Sequence, residues 1–151
     1  MARQTTPTFR DLAPDEIHHL LAAERVGRLA YSFRDRVDIE PFHYAVDEGW
    51  LYGRTAPGEK LTTIEHHRWV AVEVDEVEGV FEWRSVIVKG VFYILNPGGT
   101  EHEKARYQRA VAALRRIIPG TLTDHDPVPF RTVVFGIAIE DVTGRQATQR
   151  A

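Results

Sequence analysis

The chain holds 151 residues, with 19 Lys and Arg against 22 Asp and Glu, for a formal net charge of −3. That length suits one domain, and the charge balance gives no support to a protein that coats a phosphate backbone. At 43% hydrophobic and 27% charged the composition is globular, and the absence of cysteine excludes disulfide scaffolds, thiolate metal sites and cysteine nucleophiles.

The N-terminal stretch MARQTTPTFRDLAPDE lacks the apolar core of a secretory signal. No run approaches the about 18 apolar residues that a membrane-spanning helix needs, so the expected address is the cytoplasm, away from membranes. The expected organisation is a flexible arm over 1–10, one domain over 11–145 and a polar tail over 146–151.

In chain order, residues 14–24 read as a short helix. Pro14 suits its first position, Asp15 and Glu16 favour the positive end of the dipole, and Ile17, Leu20 and Leu21 share a face. Strands are expected over 28–33, 37–46 and 50–55, the last two joined by the turn signal Asp47-Glu48-Gly49. A short helix follows to about His67. Val70, Val72 and Val74 then alternate with Ala71, Glu73 and Asp75, the period of a half-buried strand. A long strand runs over 81–95. Thr100 and Glu103 have capping-box spacing ahead of a helix over 101–118, with Tyr107, Val111, Leu114 and Ile118 as its stripe and Pro119-Gly120 as its stop. A last strand is expected over 130–142. Six strands joined largely by tight turns fit a closed antiparallel barrel better than an open sheet with two exposed edges. The fold class is α+β.

The segment Gly53-Arg-Thr-Ala-Pro-Gly-Glu-Lys-Leu61 sets a strand end, a turn of small residues and a helix start in a row. Free N–H groups at a helix start suit a phosphate, and Arg54, Thr55 and Lys60 are available donors. The segment is not a Walker A loop, because Glu59 separates Gly58 from Lys60 and no hydroxyl follows the lysine. An ordinary strand–turn–helix connection with surface charges is the competing reading.

Taken with Glu24-Arg-Val-Gly-Arg-Leu-Ala30, Ile39-Glu-Pro-Phe-His-Tyr44, Val72-Glu-Val-Asp75, Trp83-Arg-Ser-Val-Ile-Val-Lys-Gly90 and Thr143-Gly-Arg145, this segment belongs to an ordered set. Over about residues 12–145 the set resembles the pyridoxamine 5′-phosphate oxidase-like family of FMN-binding split barrels, in particular its small nitroimidazole-resistance-type branch. The resemblance implies a six-stranded Greek-key split β-barrel with flanking helices, forming a homodimer that holds FMN at the subunit interface. It implies that Arg54, Thr55 and Lys60 bind the FMN phosphate, that Ile39 and Pro41 line the ring, and that Ser85 with Trp83 reaches in from the partner chain. It further implies a flavin-dependent oxidoreductase acting on a small molecule, with NAD(P)H as a candidate reductant. A non-catalytic flavin-binding or sensing module, or the same fold carrying deazaflavin or haem, remains the alternative. The tail Thr143–Ala151 has no motif like the one, with a basic residue and a tryptophan, by which the namesake oxidase grips its substrate, which argues against that substrate.

Other candidates weigh less. His43 shares a strand face with Ile39 and Pro41, where it would orient a substrate or simply pack. His18-His19 and His66-His67 are adjacent pairs whose side chains diverge by about 100° on a helix, so no metal site is expected. Glu73 and Asp75 read as a solvated or interfacial face, and the basic residues of the long helix read as solvated, not as a nucleic-acid groove.

Overall fold

The computed structural model describes residues 6–149. Its elements are β1 (Thr8–Asp11), α1 (Pro14–Ala23), β2 (Val26–Phe33), β3 (Arg36–His43), β4 (Ala45–Asp47), β5 (Trp50–Thr55), α2 (Glu59–His66), β6 (Trp69–Gly79), β7 (Glu82–Ile94), α3 (Glu101–Arg115) and β8 (Val133–Thr148). The strands form one antiparallel sheet in the order β3-β2-β6-β7-β8-β5-β4, with β1 pairing on β8. Among the described residues no helix is long and apolar enough to cross a membrane.

The α+β class and the split-barrel arrangement agree with expectation, but the sheet has eight strands and does not close. The expected strand over 37–46 divides at Tyr44. There the backbone N–H of Tyr44 donates to the Arg25 carbonyl, and its buried hydroxyl donates to the Leu21 carbonyl at 2.7 Å. Burial also pushes the Tyr44 phenol pKa up, so the hydroxyl stays a donor. Before the break the chain pairs with β2, and after it with β5, leaving β3 and β5 without a ladder between them.

The ends of the domain also differ from expectation. Residues Thr8–Arg10, placed in a flexible arm, pair together with Asp11 against Arg145–Thr148, placed largely in a polar tail. Two bonds from the Arg10 guanidinium to Glu16 fasten this added strand to α1. They hold the Glu16 carboxyl down at about 2, helped by the Ala13 N–H. Residues 1–5 and 150–151 of the expected arm and tail lie outside the described residues.

Packing follows the strand period. Leu29, Val72, Val74, Val86, Val88 and Ile137 fill the barrel interior. A second core lies between the sheet and α3, where Ala110, Ala113 and Leu114 meet Tyr52 and Val134. Thr100 caps α3 as its spacing implies, accepting from the Glu103 N–H at 3.2 Å. The helix stops at Arg115, three residues before the expected end, and turns lead into the connection to β8. Arg106 lies 4.4 Å over the Trp50 ring and donates to the Tyr52 hydroxyl, tying α3 to β5.

The β2–β3 loop holds backbone strain, and Gly90 a tight backbone approach. The β2–β3 loop places Arg34 at φ 49° and Asp35 at φ 63°, a left-handed pair that favours Asn-Gly. At Gly90, where the β7–β8 register shifts, an added Cβ would run into the Ala138 carbonyl. Replacing Arg34-Asp35 by Asn-Gly is expected to raise stability by about 1 kcal/mol. Gly90→Ala is expected to lower it by about 1–3 kcal/mol. Denaturant titrations of the two variants check both signs.

Candidate functional site

A cleft of about 250 Å³ lies between β3 and β5, which share no ladder, at the start of α2. Its floor is core: Leu29, Phe42, Ile64, Phe92 and Phe135. Gly53 on β5 lets this floor form, because a Cβ there would collide with the rings of Phe135 and Phe42. The rim is polar, with Glu40 from β3, Arg54 and Thr55 from β5, Lys60 from α2 and Arg131 ahead of β8. The α2 start at Gly58 has no side-chain cap, so its first N–H groups are left without one.

Of the residues expected to bind phosphate, the structure brings Arg54, Thr55 and Lys60 together on this rim, with Pro41 beside them. Their partners were not legible in the sequence. Lys60 forms an ion pair with Glu40. Both faces of β5 are covered, so Arg54, pointing away from the barrel interior, is buried and its guanidinium is committed. It donates to Asp126 at 3.2 and 2.5 Å and, through Nε, to the Arg131 carbonyl at 3.0 Å. Asp126 in turn accepts from the Leu122 and Val128 N–H groups at 2.8 and 3.0 Å. Arg54 holds the Asp126 carboxyl well below the usual carboxylate range, against burial that pushes the other way.

Ile39, Ser85, Trp83 and His43 lie elsewhere. Ile39 is 65% exposed on β3. Through the ladders its outward row continues to Ala30 and Ala71, and the neighbouring row carries Pro41, Arg28, Glu73 and Ile87. On this same outer surface the Ser85 hydroxyl donates to Glu73 at 2.7 Å, while Arg28 bridges Glu73 and Asp75. Burial pushes the Glu73 carboxyl pKa up and neighbouring Asp75 adds to the shift, with Ser85 and Arg28 opposing. Trp83 sits farther along β7, in a hollow with Glu76, Glu78 and Gln146. His43 lines a small hollow of about 20 Å³ that shares Arg54 and Arg131 with the main cleft. Within one chain, then, Ser85 and Trp83 do not reach the cleft.

Of the paired histidines, His66 and His67 have local contacts: both pack against Phe33, and His66 contacts the Thr62 carbonyl. Among the described residues no group of three His, Asp or Glu side chains could hold a metal ion.

The arrangement defines a split-barrel protein with an apolar cleft and a cationic rim at the strand divide. The sequence model of the pyridoxamine 5′-phosphate oxidase family matches residues 13–146, and the chain belongs to that family. It is similar to an uncharacterized protein of Rhizobium meliloti strain 1021, at 29% identity over 91% of this chain and 95% of that one. A crystal structure described as a FAD-binding protein from Mesorhizobium loti superposes with a TM-score of 0.73 at 29% identity. That match covers 93% of this chain and all but 1% of the other. A FAD-binding protein from Mycobacterium smegmatis gives 0.65 at 25% identity, over 91% and 98% of the two chains.

The depressed Asp126 pKa carries a pH signature. A carboxyl lowered in the folded state contributes stability above its unfolded value, here 3.8, and loses it as pH falls toward the folded value. Asp126→Asn is therefore expected to melt below wild type near neutral pH, with the gap narrowing steadily below about pH 4. Melting curves collected across that range check the sign.

Proposed function

We propose that the protein is a flavoprotein that binds FMN in the β3–β5 cleft as a homodimer and catalyses oxidoreduction of a small molecule. The observation that carries this reading is the joining of an apolar aromatic floor to a cationic rim at the start of α2. A flat ring system needs the first, and a dianionic phosphate ester needs the second. The resident chemistry would be two-electron transfer supplied by the flavin, with NAD(P)H as the proposed reductant.

This chain's residues would bind and orient. Lys60, Thr55 and the N–H groups opening α2 hold the phosphate, while Arg54 adds charge at the rim as it fixes the neighbouring loop. Pro41 and Ile39 present backbone and apolar surface to the ring. His43 is the side chain proposed to orient the substrate.

A homodimer accounts for the remaining features. The cleft of about 250 Å³ is smaller than the roughly 300–1,000 Å³ usual for a pocket enclosing a small ligand, so a second chain has room to complete it. Val37 and Ile39 are 74% and 65% exposed on the strand beside the cleft, and Trp69 and Ile87 extend the outward apolar surface. Covering that surface with a second copy would bring a partner's Ser85 and Trp83 face toward the ring. The proposed address is the cytoplasm. FAD is the second reading for the cofactor, favoured by the FAD-binding relatives at 29% and 25% identity.

The test is the visible spectrum after incubation with FMN, and separately with FAD, followed by gel filtration. Retention of flavin bands at one per subunit in a dimer-sized peak is expected. A Soret band, or no retained chromophore, would overturn the reading. Glu40→Gln frees Lys60 from its carboxylate and is expected to tighten FMN binding several-fold without changing riboflavin affinity, measured by flavin fluorescence quenching.

A further inference from the structure

The rim contains more positive charge than its phosphate-binding motif supplies, and the surplus has one location. Glu40 opposes Lys60, and Asp126 opposes Arg54. Arg131 is the cation left over. It lines the cleft, is half-buried, and its guanidinium makes no ion pair or hydrogen bond among the described residues. Its recorded side-chain contact is with the Phe130 ring, 5.8 Å from the centroid. A half-buried guanidinium with five donors and no acceptor carries a desolvation cost that a bound anion would relieve.

Its backbone, by contrast, is held from both sides. The Arg131 N–H donates to the Val128 carbonyl at 3.0 Å, and the Arg131 carbonyl accepts from Arg54 Nε at 3.0 Å. Arg54 is itself fixed by the two-pronged pair with Asp126, and Asp126 by the Leu122 and Val128 amides. The loop between α3 and β8 is thereby locked onto β5 at the residue whose side chain is free.

We infer that Arg131 is an anion-binding residue of the cleft that contacts the phosphate ester of the flavin, and that Arg54 and Asp126 are positioning residues that set it there. The inference rests on the flavin reading and deepens it. It moves the direct charge contact from the strand arginine, whose donors are spent, to a loop arginine 77 positions later. The shared ligand chemistry is a flavin phosphate, whether the monophosphate of FMN or the pyrophosphate of FAD.

The experiment compares dissociation constants of riboflavin, FMN and FAD for the full chain and three variants. Arg131→Gln is expected to weaken FMN and FAD by about 10- to 100-fold while leaving riboflavin unchanged, because only the phosphate contact is lost. Arg131→Lys is expected to recover part of that loss. Asp126→Asn, compared at a temperature where circular dichroism shows it folded, is expected to lower the FMN-to-riboflavin preference, a ratio that a purely structural defect would leave alone. Loss confined to FAD would assign Arg131 to the pyrophosphate, and equal loss for both to the phosphate they share. Wild-type affinity for FMN and FAD in Arg131→Gln would overturn the assignment while the flavin reading stands. Wild-type protein that binds no flavin would remove that reading and the assignment with it.

Discussion

A single residue, Tyr44, decides how the sheet is divided. Its main-chain N–H donates to the Arg25 carbonyl, one step past the last β2–β3 pair, and its buried hydroxyl donates to the Leu21 carbonyl at the end of α1, so the β2–β3 ladder finishes here. The next three residues change partner and join β5. The N–H and hydroxyl of Tyr44 both keep partners at the change, as a strand break inside a core requires. The cost is a seam with no hydrogen-bond ladder, and the candidate site occupies that seam.

The second constraint is the burial of both faces of β5. Leu51 and Gly53 turn toward the barrel, so Tyr52 and Arg54 must turn toward α3 and the loop that follows it. Tyr52 finds apolar cover and an Arg106 donor. Arg54 needs a carboxylate, since an unpaired buried guanidinium is strongly unfavourable. Asp126 supplies it and organises its own loop with the same two oxygens. One ion pair therefore closes the second core, fixes a long connection and shapes one wall of the cleft.

Where local chemistry dominates, the sequence was readable. Pro14 with the acidic first turn, Thr100 ahead of Glu103, the turn at Glu48-Gly49 and the valine alternation of β6 all state their structure within a few residues, and each element formed. The ends were harder because β1 has no apolar alternation; all four of its residues are exposed, and pairing with β8 defines it. The extension of β8 past Val142 was hidden for a related reason. Its polar side chains have distant partners: Arg145 reaches Asp11, and Gln146 accepts from Arg10 and Arg84.

The site divides along the same line. The run from Gly53 to Lys60 is contiguous, and its donors do converge on one rim. Glu40, Asp126 and Arg131 come from other parts of the chain, and no spacing rule links Arg54 to a carboxylate 72 positions away. Charge neutralisation within the rim is a tertiary property, visible only once those segments are side by side.

The pairing of Thr8 with Thr148 sets the two ends of the described chain one strand spacing apart, about 5 Å. Topologically the domain is thus almost a ring. A short peptide bridging those ends would leave every ladder intact, and new ends could be opened at a hairpin such as Arg34-Asp35. The chain's order of elements is in this sense one of several that the same sheet could carry, and the seam beside Tyr44 would keep its place in each.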